Sequence, residues 1–307
     1  MSITKEQLVN WLKLTNVSKL GPSKILRLFG LVPDIDQIFS MSDEELFKTR
    51  IFNEFMIHDF NKLKDASKEN FLKVINECEA NNIEIVPIIN EQYPLFLKNV
   101  SYPPLTLFLK GDLNLLNKKK IAIVGSRKAD EKAKEWTYNL AKYLVRENFV
   151  IVSGGAVGID YSAHMGALEN GGNTICVLGS GFFKMFPEKH AALFNEISKK
   201  DLLISEHLPN FPGSNIALVQ RNRITSGISN ALVMVASGER GGSMIQTKMA
   251  FEQRKLIFCP KLSLNLQPNE GINQIITDWK GIEIELYREI IDKLTEYKES
   301  SQTKLIF

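Results

Sequence analysis

The clearest pattern in the chain is a short apolar run, IAIV at residues 121–124, that ends in Gly125-Ser126-Arg127. Behind it, Trp136, Leu140, Tyr143 and Leu144 recur at three- and four-residue spacing, the period of a helix with one buried face. A second apolar run, at 149–152, ends in Ser153-Gly154-Gly155. Strand, helix and strand at these lengths predict a right-handed crossover in a parallel sheet. The alternation then continues. Apolar runs at 174–178, 202–204, 231–235 and 256–258 are interleaved with helical stretches at 162–170, 188–199, 222–229 and 243–253. The runs are apolar almost throughout, as expected of strands covered on both faces. The predicted architecture is a doubly wound, mainly parallel α/β sheet.

The flanks read differently. Residues 4–78 carry helical periodicity broken by short loops, and the stretch 14–25 resembles a helix-hairpin-helix, with Gly21 turning the chain and Pro22 opening the next helix. Such a hairpin either offers helix amides to a DNA phosphate or serves as a small packing or oligomerisation bundle. Residues 83–112 mix β-branched runs with Pro94, Pro103 and Pro104, which predicts short extended pieces leading into the sheet. An amphipathic stretch at 282–297 reads as a closing helix. The expected organisation is a helical domain at 1–78 (helix-hairpin-helix or SAM-like), an α/β domain at 79–276, and a C-terminal helix with a flexible tail at 277–307.

Composition narrows the function only a little. The chain of 307 residues is 44% hydrophobic, enough for one large core with smaller attachments. Its formal charge of +3 does not by itself point to nucleic acid. Cys78, Cys176 and Cys259 are widely spaced with no CxxC pair, which argues against a zinc site or a disulfide framework and fits a reducing cytosol. No stretch reaches the roughly 18 apolar residues of a membrane helix, and the N-terminus lacks a signal peptide's apolar segment. A cytoplasmic location without membrane contact is expected.

The candidate chemistry lies at the strand ends. These carry GSR, SGGAVGID, GSGFFK, SE and ASGERGGS, with QRNR opening an intervening helix. Glycine admits close approach of a ligand, and arginine forks onto phosphate oxygens and stacks on bases. A pocket for a phosphate-bearing ligand is therefore expected, walled by Arg127, Arg221 and Arg223. Because Arg221 and Arg223 stand two apart, one of them is expected to face the pocket and the other to hold the fold or pair with Glu206. No GxGxxG follows the first strand, and no Walker-type GxxxxGK[ST] occurs. His164 follows Asp160 by four residues without a third ligand, and His190 and His207 have no nucleophile partner. No catalytic constellation, metal site or cofactor is expected.

In order along the chain, these pieces resemble the DNA-processing protein A (Smf) family over roughly residues 80–276. The resemblance is carried by Tyr93-Pro94, Pro103-Pro104, Ile123-Val124-Gly125-Ser126-Arg127, Ser153-Gly154 with Gly158-Ile159-Asp160, Ala163-His164, Val177-Leu178-Gly179, Ser205-Glu206, Arg221-Asn222-Arg223, Gly242-Ser243 and Gly271-Ile272-Asn273. It implies an extended Rossmann-like fold and a non-enzymatic recombination mediator. Such a protein binds and protects single-stranded DNA entering by natural transformation, helps to load a RecA-type recombinase, and forms a homodimer.

Carried onto this chain, the resemblance places DNA against Gly125, Ser126 and Arg127, Ser153, Gly154 and Gly155, and Arg221 and Arg223. Gly242 and Ser243 close one side, and Lys184 or Lys189 the other. Phe182 and Phe183, with Phe186 nearby, either offer stacking faces for bases or belong to a core or dimer interface. The chain departs from the family in having Leu218-Val219-Gln220 before Arg221, where Phe-Pro is usual. It has Gln246 where threonine is common, and a longer turn at 238–243.

After residue 277 too little chain remains for the winged helix of many relatives. The ending Gln302-Thr303-Lys304-Leu305-Ile306-Phe307 resembles the QxxLxF peptide that docks on the replication sliding clamp, through Gln302, Leu305 and Phe307. The rival reading is a nucleotide-binding enzyme of the lysine-decarboxylase-like (LOG) type, a nucleoside monophosphate phosphoribohydrolase, or a nucleotide sensor. The PGGxGT turn of those enzymes is absent here, and Glu206 with Arg223 would have to act as their catalytic pair.

Overall fold

The computed structural model describes residues 3–303. They divide into two compact units, one of the residues up to 109 with 206–209 and one of residues 110–205 with those from 210 onward.

The first unit opens with α1 (Lys5–Thr15), α2 (Pro22–Leu31), α3 (Ile35–Ser40), α4 (Asp43–Lys48), α5 (Glu54–Asp65) and α6 (Glu69–Ala80). Local signals set their ends. Thr4 and Ser42 each start a helix through a reciprocal capping box, with Gln7 and Glu45 respectively. Gly21 and Pro22 stand at the cap and first position of α2, as the hairpin reading predicted. Trp11 is fully buried and its indole N–H donates to Thr106 Oγ1 at 2.8 Å. The proline-broken region forms β1 (Glu84–Pro87), α7 (Leu95–Lys98) and β2 (Thr106–Gly111), with β1 antiparallel to β2.

The second unit is built on β3 (Lys120–Val124), β4 (Val150–Ser153), β5 (Thr174–Val177), β6 (Leu202–Ser205), β7 (Ala231–Met234), β8 (Leu256–Pro260) and β9 (Ile282–Ile284). They lie in the order β6-β5-β4-β3-β7-β8-β9, and every adjacent pair is parallel. The connecting helices are α8 (Glu131–Arg146), α9 (Ile159–Leu168), α10 (Ala191–Lys200), α11 (Asn215–Gln220), α12 (Asn222–Ile228), α13 (Gly242–Glu252) and α14 (Glu270–Trp279), and α15 (Arg288–Thr303) follows β9.

Side chains alternate between the two faces of this sheet. Ile121, Ile123, Ala231 and Val233 pack with Leu140 and Leu144 of α8, Ala163 of α9 and Ile290 of α15. Ala122, Val124, Leu232 and Met234 pack on the other face with Met244 and Ala250 of α13 and Ile275 of α14. Each buried face of this kind removes apolar area from water at about 25 cal/mol per Å², which is why strands covered on both sides read as unbroken apolar runs.

Two elements differ from the sequence reading. The stretch 282–297, expected as one amphipathic helix, begins as the edge strand β9 and becomes helical only at Arg288. Ile282 and Ile284 alternate with Glu283, a period that three residues leave open to either reading. The short helix α11 was not expected. Ser214 caps it by accepting from the Ala217 amide at 3.1 Å. Among the described residues, no helix is long and apolar enough to cross a membrane.

Candidate nucleic-acid interface

From β3 the chain winds outward to β4, β5 and β6, then returns to lay β7 on the other side of β3. The loops after β3 and β7 therefore diverge, and ligands of doubly wound sheets bind in the crevice this leaves beyond the strand ends. A cavity of 460 Å³ occupies that place, lined by Gly125, Ser126 and Arg127 after β3 and by Arg240, Gly242 and Ser243 after β7. Two smaller cavities, of 210 and 190 Å³, continue the line. The first shares Arg127 and Arg221 with the large cavity. The second shares Phe186 and Leu218 with the first.

Arg221 is central. It stands at the junction of α11 and α12, is 4% exposed, and forms a wall common to both larger cavities. Its Nη2 lies 3.5 Å from Oδ2 of Asp160, a pair with both partners buried. Its Nε and Nη1 have no hydrogen-bond partner. A buried guanidinium with unpaired donors carries a desolvation cost of roughly 1–3 kcal/mol per group, and its positive charge on the cavity wall favours an anion there. Gly154 exists to admit it, because a Cβ there would lie 1.3 Å from Nη1.

The turn around Arg127 is tied down by backbone. The Ser126 N–H donates to Ala236 O at 2.8 Å, linking the two loops, and Ser126 Oγ accepts from the Lys128 amide at 3.0 Å. Gly158 sits beside this turn at φ +82°, where a Cβ would meet Ser126 O at 2.5 Å. Helices α9 and α13 both begin on glycine, with no side-chain oxygen taking up their first amides. Such helix starts carry partial positive charge, although the first amide of α9, Ile159 N–H, is already taken by Ser126 O at 3.4 Å. The Ser243 hydroxyl pairs with the Ser237 hydroxyl at 2.9 Å, and Ser237 in turn donates to Gly238 O.

The expected site residues are not all brought together. Gly125, Ser126, Arg127, Gly242 and Ser243 line the large cavity, and Gly154 and Lys189 line the second. The Lys189 loop is held by His190, whose Nδ1–H donates to Gly155 O at 2.9 Å while its ring packs on Tyr161. Ser153 is buried, and its Oγ donates to Ile123 O at 2.7 Å, so it staples β4 to β3 and lines none of the three cavities. Gly155 is a buried turn against Phe194. Arg223 is buried with Nη1 donating to Gln220 O at 2.7 Å, and it lines none of the three cavities. Of the two arginines, Arg221 is the one that faces the pocket.

Lys184 is exposed and stands outside these cavities. Phe182 is 5% exposed, packed inward as core, and cannot offer a ring face to a base. Phe183 is 36% exposed and lines none of the cavities, whereas Phe186, half exposed, lines two. Leu305, Phe307 and the side chain of Gln302 fall outside the described residues.

Asn215, Leu218, Arg240 and Gln246 also line the large cavity; the sequence reading noted Leu218, Gln246 and the turn at 238–243 only as departures from the family and gave none of the four a binding role. The Ser214 cap was a signal for the first two, and the longer turn at 238–243 for Arg240. His164 is fully buried, with Nδ1 2.7 Å from Thr174 Oγ1. Burial, with help from nearby Arg221, pushes its pKa down to about 3. Among the described residues, no cluster of His, Cys, Asp and Glu could hold a metal ion.

A sequence profile described as DNA recombination-mediator protein A matches residues 84–295. The chain belongs to this family. It is 37% identical over 193 residues to DNA processing protein DprA of Bacillus subtilis, an alignment covering 62% of this chain and 65% of that one. It is 30% identical to DprA of Streptococcus pneumoniae, over 81% of this chain and 82% of that one. The chain thus spans slightly under two thirds of the Bacillus protein. Among solved structures, DprA from Streptococcus pneumoniae superposes with a TM-score of 0.79 at 26% identity, over 95% of this chain and 98% of that one. DNA processing protein A from Helicobacter pylori, described for its single-stranded DNA binding mode, superposes with a TM-score of 0.63 at 26% identity, over 70% of this chain and 98% of that one.

Proposed function

We propose that this chain is a non-catalytic recombination mediator that binds single-stranded DNA along the line of three cavities. It would shield the strand entering by transformation and pass it to a RecA-type recombinase, acting as a homodimer. The carrying observation is Arg221, buried with unpaired donors on the wall of two cavities. A single strand needs a positive path for its phosphates and a face for an unstacked base. Arg127, Arg221 and Lys189 supply the first and Phe186 the second. The LOG-type rival loses support from Arg223, which turns away from the cavities.

Anisotropy of labelled oligo-dT and a matching duplex across a salt series tests the reading. Tighter binding of the single strand is expected, with a salt slope reflecting few phosphates and a loss of roughly tenfold or more in Arg127→Ala. Equal affinity for duplex, or undiminished binding by the variant, sinks it. The ending with Gln302, Leu305 and Phe307 is proposed as a clamp-docking peptide, and a peptide of residues 298–307 that shows no anisotropy change with clamp at high micromolar concentration ends that part.

A further inference from the structure

The 460 Å³ cavity matches a dianion better than the single charge of an internal DNA phosphate. Its walls carry Arg127, Lys128, Arg221 and Arg240 against one carboxylate, Asp160. The uncapped starts of α9 and α13, helices of ten and eleven residues, add to that excess. Two buried side chains on these walls also hold unpaired donors. One is Arg221, through Nε and Nη1. The other is Gln246, which is 5% exposed and whose Nε2 has no partner. Gln246 lies one turn into α13, on the face that Gly242 occupies. A carboxamide N–H at that depth recognises an acceptor oxygen, and the adjoining guanidinium selects for a charged one.

A phosphodiester offers one charge and two free oxygens. A phosphomonoester offers between about 1.5 and 2 charges at neutral pH and three acceptor oxygens. The second cavity adjoins it at Arg127 and Arg221 and is lined on its other side by Phe186, so a sugar and base attached to the phosphate have a neighbouring space to occupy. We propose that the 460 Å³ cavity seats the terminal phosphomonoester of a nucleotide, either at the phosphorylated end of a single strand or in a free nucleoside monophosphate, with the attached sugar and base in the cavity beside Phe186. The strand-end form rests on the single-strand reading above.

The test uses the full chain and internally labelled oligo-dT strands of one length, ending in a 5′-phosphate, a 3′-phosphate or hydroxyls only. Thymidine monophosphate, thymidine and inorganic phosphate serve as competitors and as ligands in thermal shift. A phosphorylated end is expected to bind about tenfold tighter than hydroxyl ends, the worth of one further charge-assisted hydrogen bond. In Gln246→Leu and in Arg240→Ala the ratio should fall to about one. Arg240 is exposed, so its variant keeps the test open if the buried substitution does not fold.

A preference among strands without response to the monophosphate identifies the strand end as the source. Displacement and stabilisation by the monophosphate, but not by thymidine, identify the free nucleotide. Equal binding of all strands with no monophosphate response overturns the proposal and leaves single-strand binding standing. A preference retained in both variants, or inorganic phosphate acting as well as the monophosphate, also overturns it. No binding of any strand and no monophosphate response overturns both readings.

Discussion

Single positions decide how the cavity wall is built, and Gly154 is the sharpest instance. With the Arg221 guanidinium lying where a Cβ would stand, Gly154→Ala forces the arginine out of its seat. The expected result is a single-strand affinity reduced roughly tenfold or more, the value of a charge-assisted contact, beside a destabilisation of about 1–3 kcal/mol. Anisotropy and chemical denaturation measure the two separately. His164 acts on stability. Its imidazole stays neutral in the fold down to about pH 3, whereas in the unfolded chain it takes a proton near pH 6.5. The unfolded state therefore binds more protons between those values, and stability falls as pH falls through that window. From pH 6.5 to 5 the loss is about 2 kcal/mol for this group. A His164→Gln variant should show a flatter stability profile there, and an unchanged profile would refute the assignment.

At the scale of elements, capping residues place the site. Helix α11 is six residues long, too short to persist without its Ser214 cap and its packing, yet it positions Asn215 and Leu218 at the cavities and delivers the chain to Arg221. Ser214→Ala is expected to cost about 1 kcal/mol, measured by denaturant titration, and to weaken strand binding through a displaced Arg221. Replacing Asp130, which caps α8 by accepting from the Ala133 amide at 2.7 Å, is expected to cost a similar amount and leave binding unchanged.

What could be read from residue order follows the same physics. Strands buried on both faces announce themselves as apolar runs, and the small residues after them mark the edge where a crevice opens, so Gly125, Arg127, Arg221 and Gly242 could be placed at one cavity from the sequence. Ser153 lies away from the cavities because a serine at a strand end serves equally well as a ladder staple. Phe182 and Phe186 were inseparable by type, since ring burial depends on which way a short turn faces. Gln246 was noticed only as a departure from the family, because nothing local distinguishes a helical glutamine that meets a cavity from one that meets solvent.

Over the whole molecule, the three cysteines serve as internal reporters. All are buried, and burial pushes each thiol pKa up to about 12, so none is a nucleophile in the native state. A thiol reagent should find almost nothing in native protein and all three groups in denaturant. Cys78 belongs to the first unit and Cys176 and Cys259 to the second. Pulsed alkylation therefore reads the opening of each unit by itself. Cys176 and Cys259 should label together, since they lie in β5 and β8 of one parallel sheet. Separate rates for these two would mean that the sheet opens piecemeal.

The uniform strand direction of that sheet gives it two unlike rims. One rim carries Arg127, Arg221 and the starts of α9 and α13, and the other carries the turns that lead from helices back into strands. Lys119 sits exposed on that second rim, immediately before β3, with a side chain that supports nothing in the sheet. A lone cysteine engineered there would be the only reactive thiol on native protein, and a fluorophore fixed to it would report on strand capture from the silent side of the molecule.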